Sequence, residues 1–112
     1  MTPPEFGANN PAAAVIHPNP AAEYYFEEGC FVLELSNSES DPSVSIARAR
    51  VPVGGETRRH RLTATTERYV ILEGHGELQV GDTRERVGPG DVTIIPAQCP
   101  QQIRNVGGKD LI

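Results

Sequence analysis

The chain has 112 residues and a mass of 12.1 kDa, which makes it one domain at most. Lys+Arg 10 against Asp+Glu 15 leaves a net charge of −5 with no long basic run, which argues against a nucleic-acid-binding face and against a polybasic membrane patch. Gly 11 and Pro 10, no Trp and 5% aromatics argue against a helical bundle and for short strands around an aliphatic core.

Residues 1–22 hold five of the ten prolines: Pro3, Pro4, Pro11, Pro18 and Pro20. Proline removes backbone donors and fixes φ, so this stretch is expected as an extended arm, disordered or laid across a partner, with His17 an exposed loop residue. A domain is expected over residues 23–112. Phe31 to Leu35 reads as a strand closed by the turn cluster Ser36 to Pro42. Val44 to Val51 alternates with period two, a second strand, and Pro52 to Glu56 is a loop.

His60 to Leu62 is short and extended, and Thr63 to Thr66 a polar turn. Glu67 to Leu72 is a β-branched and aromatic strand ending at Gly74-His75-Gly76, with His75 a solvated turn residue. Glu77 to Val80 returns as a hairpin arm before the tight turn Gly81-Asp82. Val87, the turn Gly88 to Asp91 and Val92 to Ile95 repeat the strand-turn-strand pattern. Gln101 to Val106 is a further strand, and Lys109 to Ile112 begins another and stops, so either the native chain continues or the barrel closes on a shortened strand. No segment shows a 3.6-residue apolar period, and no phosphate-binding glycine loop, GxSxG elbow or CxxC pair is present.

No apolar stretch approaches the roughly 18 residues of a membrane span, and the start lacks the basic-then-apolar pattern of a secretory signal. Cys30 and Cys99 are read as free thiols in a reducing compartment, so a cytoplasmic location is expected.

Two blocks of sequence carry a family resemblance. The first runs from Gly54 through His60, Leu62 and Glu67 to Gly74; the second from Gly90 through Pro96, Gln98 and Gln101 to Asn105. Together they resemble the paired motifs of the cupin superfamily, G-x5-H-x-H-x(3,4)-E-x6-G and G-x5-P-x-G-x2-H-x3-N. Gly54, His60, Glu67, Gly74, Gly90, Pro96 and Asn105 stand at the expected spacings. The resemblance covers about residues 44–112 and implies an all-β fold: a double-stranded β-helix, or jelly-roll barrel.

The departures concern metal binding. The resemblance implies a divalent ion held by two histidines and a glutamate of the first motif and one histidine of the second. Here Leu62 stands at the second histidine position and Gln101 at the last, while Gln98 replaces the motif glycine. His60, Glu67 and Gln101 are the candidate ligands for a Zn, Mn, Fe or Ni ion, two strong donors and one weak amide oxygen. The alternative is a metal-free polar cluster in which the three satisfy one another. Cys99, two residues from Gln101, is read as a turn residue or an extra thiolate ligand.

Strand parity places Leu62 beside His60, Tyr69 and Ile71 beside Glu67, and Ile103 beside Gln101. These residues are the expected pocket lining. Arg50, with Arg48 on the same strand face, is a candidate for a pocket mouth that takes an anion. Two functions compete: a non-catalytic module binding a small molecule, and a metal-dependent enzyme of isomerase or dioxygenase type using His60 and Glu67. The resemblance also implies self-association by strand exchange, so a homodimer is expected.

Overall fold

The structure, a computed structural model, describes residues 12–112. Pro3, Pro4 and Pro11 of the expected arm lie outside the described residues. Residues 12–19 carry no regular structure and are exposed, and a short 3-10 turn covers Pro20–Ala22. Asn19 caps that turn by accepting the Ala21 N–H at 3.0 Å.

Eight strands follow: β1 (Tyr24–Phe26), β2 (Cys30–Ser38), β3 (Asp41–Arg50), β4 (Glu67–Val70), β5 (Gly76–Val80), β6 (Thr83–Val87), β7 (Val92–Ile95) and β8 (Gln101–Asn105). Their hydrogen-bonded orders are β1-β2-β3, β4-β7 and β6-β5-β8, with every pair antiparallel. The fold is an all-β jelly-roll barrel, with no α-helix among the described residues. No described helix is long and apolar enough to cross a membrane.

Isolated bridges complete the two layers. Glu56 pairs with Arg104 and His60 with Gln101, so the segment before Leu62 runs along the free edge of β8. Leu111 exchanges both backbone bonds with Val51 at the end of β3. The next residue, Ile112, accepts from the Leu72 N–H at 2.8 Å and donates to the Glu73 carbonyl at 2.9 Å. Leu111 and Ile112 thus lie between the end of β3 and the end of β4 and join those two sheets.

Register sorts each strand into an inner and an outer face, because directly opposed residues share a face. Val80, Leu78 and Gly76 of β5 stand opposite Gln101, Ile103 and Asn105 of β8, and opposite Thr83, Glu85 and Val87 of β6. Glu67 and Tyr69 of β4 stand opposite Ile95 and Thr93 of β7. Those faces close on a core of Cys30, Val51, Ile71, Leu78, Val87, Ile103 and Leu111, with Val32, Tyr69 and Val80 packed against it. The second-motif residue Asn105 is buried and acts as a clamp. Its amide donates to the Val51 and Lys109 carbonyls at 2.9 and 2.8 Å and accepts the Gly107 N–H at 2.9 Å.

The expected turn over Ser36 to Pro42 is corrected to two residues, since β2 runs to Ser38 and β3 resumes at Asp41. Its turn-like composition has a different cause. The outer half of this hairpin projects from the barrel and is wet on both faces, with residues 42–47 all exposed and the register shifted at Glu34/Ser36 and Ser36/Ser38. With the hairpin projecting and residues 12–19 lying exposed outside the sheets, the radius of gyration is 16.0 Å, against about 13 Å for a compact domain of this length.

Candidate functional site

Gln101 is the most enclosed polar residue of the described chain, with 0% of its surface exposed. It opens β8, where its backbone exchanges bonds with His60 at 3.0 and 2.7 Å. That bridge sets the two side chains next to one another on the inner face. The Gln101 Nε2 lies 2.8 Å from His60 Nε2 and 3.1 Å from Glu67 Oε1, and it also donates to the Tyr69 hydroxyl. Three acceptors surround one amide nitrogen, which fixes the nitrogen rather than the oxygen toward them. The Gln101 Oε1 is left buried with no hydrogen-bond partner.

His60 Nδ1 lies 2.7 Å from the Arg58 carbonyl, so that nitrogen carries a proton and donates. In the neutral ring Nε2 is then an acceptor and takes the Gln101 N–H. Glu28, in the turn between β1 and β2, brings its Oε2 to 3.2 Å from the same Nε2. It is held there by its carbonyl, which accepts the Arg58 N–H at 2.6 Å. A protonated His60 would donate to Glu28 and oppose the Gln101 amide, so the imidazole has two alternative partners. Burial, reinforced by Glu67, pushes the Tyr69 phenol well above the ordinary tyrosine range; the Gln101 bond opposes the shift without cancelling it. Tyr69 is therefore a neutral hydroxyl in the cluster. Burial, with Glu28 adding to it, likewise pushes the Cys30 thiol up.

The structure brings His60, Glu67, Gln101 and Tyr69 together and adds Glu28, which no motif spacing marks. Other sequence expectations change. Ile71 and Ile103, 4% and 6% exposed, fill the core rather than line an opening. Leu62 is 37% exposed, at the rim. Arg50 is not among the residues that line the clefts: it lies opposite Phe31, on the face of the β2–β3 hairpin opposite to Val32. Its guanidinium meets Glu23 at 2.6 Å and Asp110 at 3.4 Å and stacks 4.3 Å over the Phe31 ring. Cys99 lies in the turn after β7, its N–H bonded to the Pro96 carbonyl at 3.2 Å. Gln98, at the family's glycine position, adopts φ 70°, the left-handed conformation that glycine tolerates best. Its N–H bonds to the Leu62 carbonyl at 2.6 Å, which anchors the turn.

With the Gln101 nitrogen turned toward His60 and Glu67, the donor set does not fit a metal ion. An amide nitrogen is no ligand, and here it fills the space between the imidazole and the carboxylate. Among the described residues no three of His, Cys, Asp and Glu converge on a point that would hold an ion. Two strong donors fall short of the three that zinc sites in enzymes use.

A jelly-roll barrel with the two motifs meeting at its inner wall defines a cupin. Residues 47–112 match the cupin domain family, and the chain belongs to that family. An uncharacterised protein of Methanocaldococcus jannaschii, MJ1618, is 34% identical over 90 residues, covering 79% of this chain and 72% of the relative. Among solved structures, the cupin domain of Schizosaccharomyces pombe Cnp3 superposes with a TM-score of 0.64 at 24% identity, over 71% of this chain and 58% of that one. This chain therefore spans little more than half of that domain. A predicted oxalate decarboxylase of Thermotoga maritima gives a TM-score of 0.71 at 24% identity, over 86% of each chain. These two likenesses establish the fold.

Proposed function

We propose that this cupin binds a small organic molecule inside its barrel without a metal ion. The observation that carries the reading is the enclosed Gln101 amide, which takes the central place among His60, Glu67 and Tyr69 and leaves one buried acceptor unpaired. The reading also sets apart the chemistry named for the Thermotoga maritima neighbour. A dianion such as oxalate calls for cationic walls. Register puts Arg68, Arg84, Arg86 and Arg104 on outer faces, opposite in parity to Tyr69, Glu85 and Ile103.

One observation favours the competing metal-dependent enzyme, of isomerase or dioxygenase type. Turning the Gln101 amide over would present its free Oε1 to the same point as His60 Nε2 and Glu67 Oε1. Thermal melts with and without chelator decide between the two. The parent is expected to melt at one temperature with chelator, without it, and with added zinc, manganese, iron or nickel. A metal-stabilised fold would instead lose several degrees to chelator by mass action, and that result would overturn the metal-free reading. The double variant Leu62→His, Gln101→His is expected to gain affinity for these ions by several orders of magnitude, since imidazole replaces an alkyl group and an amide. Equal affinities by calorimetry would mean that the four positions do not converge.

Self-association is proposed alongside. Val70, Val92 and Ile94, on the outer face of β4 and β7, are 57%, 60% and 61% exposed, whereas the outer face of β5, β6 and β8 is charged or polar. β3 also presents an unpaired edge. Light scattering of the intact chain is expected to give twice the monomer mass, and removal of residues 1–22 to shift the equilibrium toward monomer. A monomer at high micromolar concentration would end this proposal.

A further inference from the structure

The two layers of the barrel do not meet at β6 and β7, the outermost strands of their sheets. A cleft of about 470 Å³ opens there. Its walls include Leu78, Val80, Val87, Thr83, Glu85 and Thr93, all on inner faces by register. The cleft adjoins the Gln101 cluster on two sides. Val80 is the register partner of Gln101, and Thr93 is the register partner of Tyr69, to which Gln101 donates.

Two buried side-chain oxygens in this region have no hydrogen-bond partner, Gln101 Oε1 and Thr93 Oγ1. Buried polar atoms are almost always satisfied, so two orphans on inner faces, one in the cleft wall at Thr93 and one on Gln101 beside the wall residue Val80, point to a missing partner. One of them is a pure acceptor and calls for an N–H or O–H donor. The charges that the inner faces bring to the cleft are acidic. Glu85 faces inward beside Leu78, Asp91 stands at the rim, and Glu67 lies past Tyr69. Arg86, which also borders the opening, has its guanidinium 3.7 Å from Glu77 on the outer face.

We infer that the cleft between β6 and β7 takes a small organic cation, an amine with an apolar body, whose ammonium N–H groups meet Gln101 Oε1 and Thr93 Oγ1. This inference rests on the reading of the barrel as a metal-free binding site and adds the ligand class. The apolar body lies against Leu78, Val80 and Val87. Glu85 supplies attraction without direct burial, so it sets preference between charged and neutral ligands more than it sets the site.

The test is an NMR titration of the full chain with three probes of one shape: benzylammonium, benzamide and benzoate. Benzylammonium is expected to shift the amides of Val80, Thr93 and Gln101 and to bind at least about tenfold more tightly than benzoate, a difference of about 1.4 kcal/mol. Glu85→Gln, a change on an exposed side chain, is expected to reduce benzylammonium affinity about fivefold and leave benzamide unchanged. Thr93→Val removes the orphan hydroxyl at nearly constant volume. It is expected to leave the melting temperature unchanged or raised while weakening benzylammonium about threefold. Benzoate binding as well as benzylammonium would overturn the cation, as would a Glu85→Gln variant with parental affinity. Benzamide binding alone would overturn the cation and leave the small-molecule site standing. No shift with any probe would remove both.

Discussion

Gln101→Leu is expected to lower the stability of the protein by about 3 kcal/mol, seen as a fall in the urea midpoint at an unchanged slope. Leucine fills nearly the same space but offers no donor. Glu67 Oε1, His60 Nε2 and the Tyr69 hydroxyl lose the two amide N–H groups that they share. The bond to Glu67 is charge-assisted, which raises its share of the loss. Domains of this kind are stable by about 5–15 kcal/mol, so the loss is a large fraction of the whole. A urea midpoint equal to the parent would show that the acceptors find other partners and that the amide organises nothing.

Gln101→Glu sharpens the test. It places a second carboxyl in full burial beside Glu67, with Glu28 just beyond His60. Burial and the neighbouring carboxylates both raise the folded pKa of such an acid. Its neutral form is therefore compatible with the fold below the unfolded carboxyl pKa of about 4.3, and stability is lost as pH rises through the raised folded value. This variant is expected to be less stable than Gln101→Leu at neutral pH and to recover on acidification, whereas Gln101→Leu shows no such recovery. Parallel pH profiles for the two variants would rule out a buried carboxyl at this position.

The second large effect lies at Gly74, where β4 hands over to the turn before β5. Its φ is 82°, and a Cβ built there would press on the Asp110 carbonyl oxygen and lie 2.9 Å from the Leu111 Cα. Both obstacles are backbone, so no rotamer change relieves them. Gly74→Ala is expected to cost about 3–5 kcal/mol, the left-handed penalty plus the displaced chain. Gly90 separates the two contributions, since its φ is 90° but nothing lies within 4 Å of where a methyl group would stand. Gly90→Ala is expected to cost only about 1–2 kcal/mol. Equal losses in the two variants would mean that the chain around Asp110 and Leu111 yields freely.

The same contrast explains what can be read from the residues alone. The strands from Glu67 onward carry the motif spacings and the alternation of a one-sided sheet, so β4, β5, β7 and β8 are legible. β6 is not, because Thr83-Arg84-Glu85-Arg86 has no apolar residue on either parity and Val87 alone marks its inner face. β1 is three exposed residues, Tyr24, Tyr25 and Phe26, paired only to β2. Within the site, His60, Glu67 and Gln101 meet because motif spacing fixes strand parity. Glu28 has no such marker: it is carried to His60 by one backbone bond from a turn far earlier in the chain. Arg50 misleads because strand alternation gives a face but not its neighbours, and Glu23 and Asp110 come from distant parts of the chain.

The paired backbone bonds of Leu111 and Ile112 also bear on how the barrel is made. Until those residues arrive, the sheet of β1 to β3 has no hydrogen-bonded tie to β4, and the Val51–Leu111 bridge spans 60 positions. Closing a loop of that length is entropically costly and comes before the contacts that reward it, so topologies of this kind fold slowly. A ribosome-bound chain would hold Leu111 inside the exit tunnel while β1 to β3 are already outside. The β2–β3 hairpin can pair locally during that interval, but the core face it presents stays wet. Synthesis alone therefore sets a lower limit on when this barrel can shut.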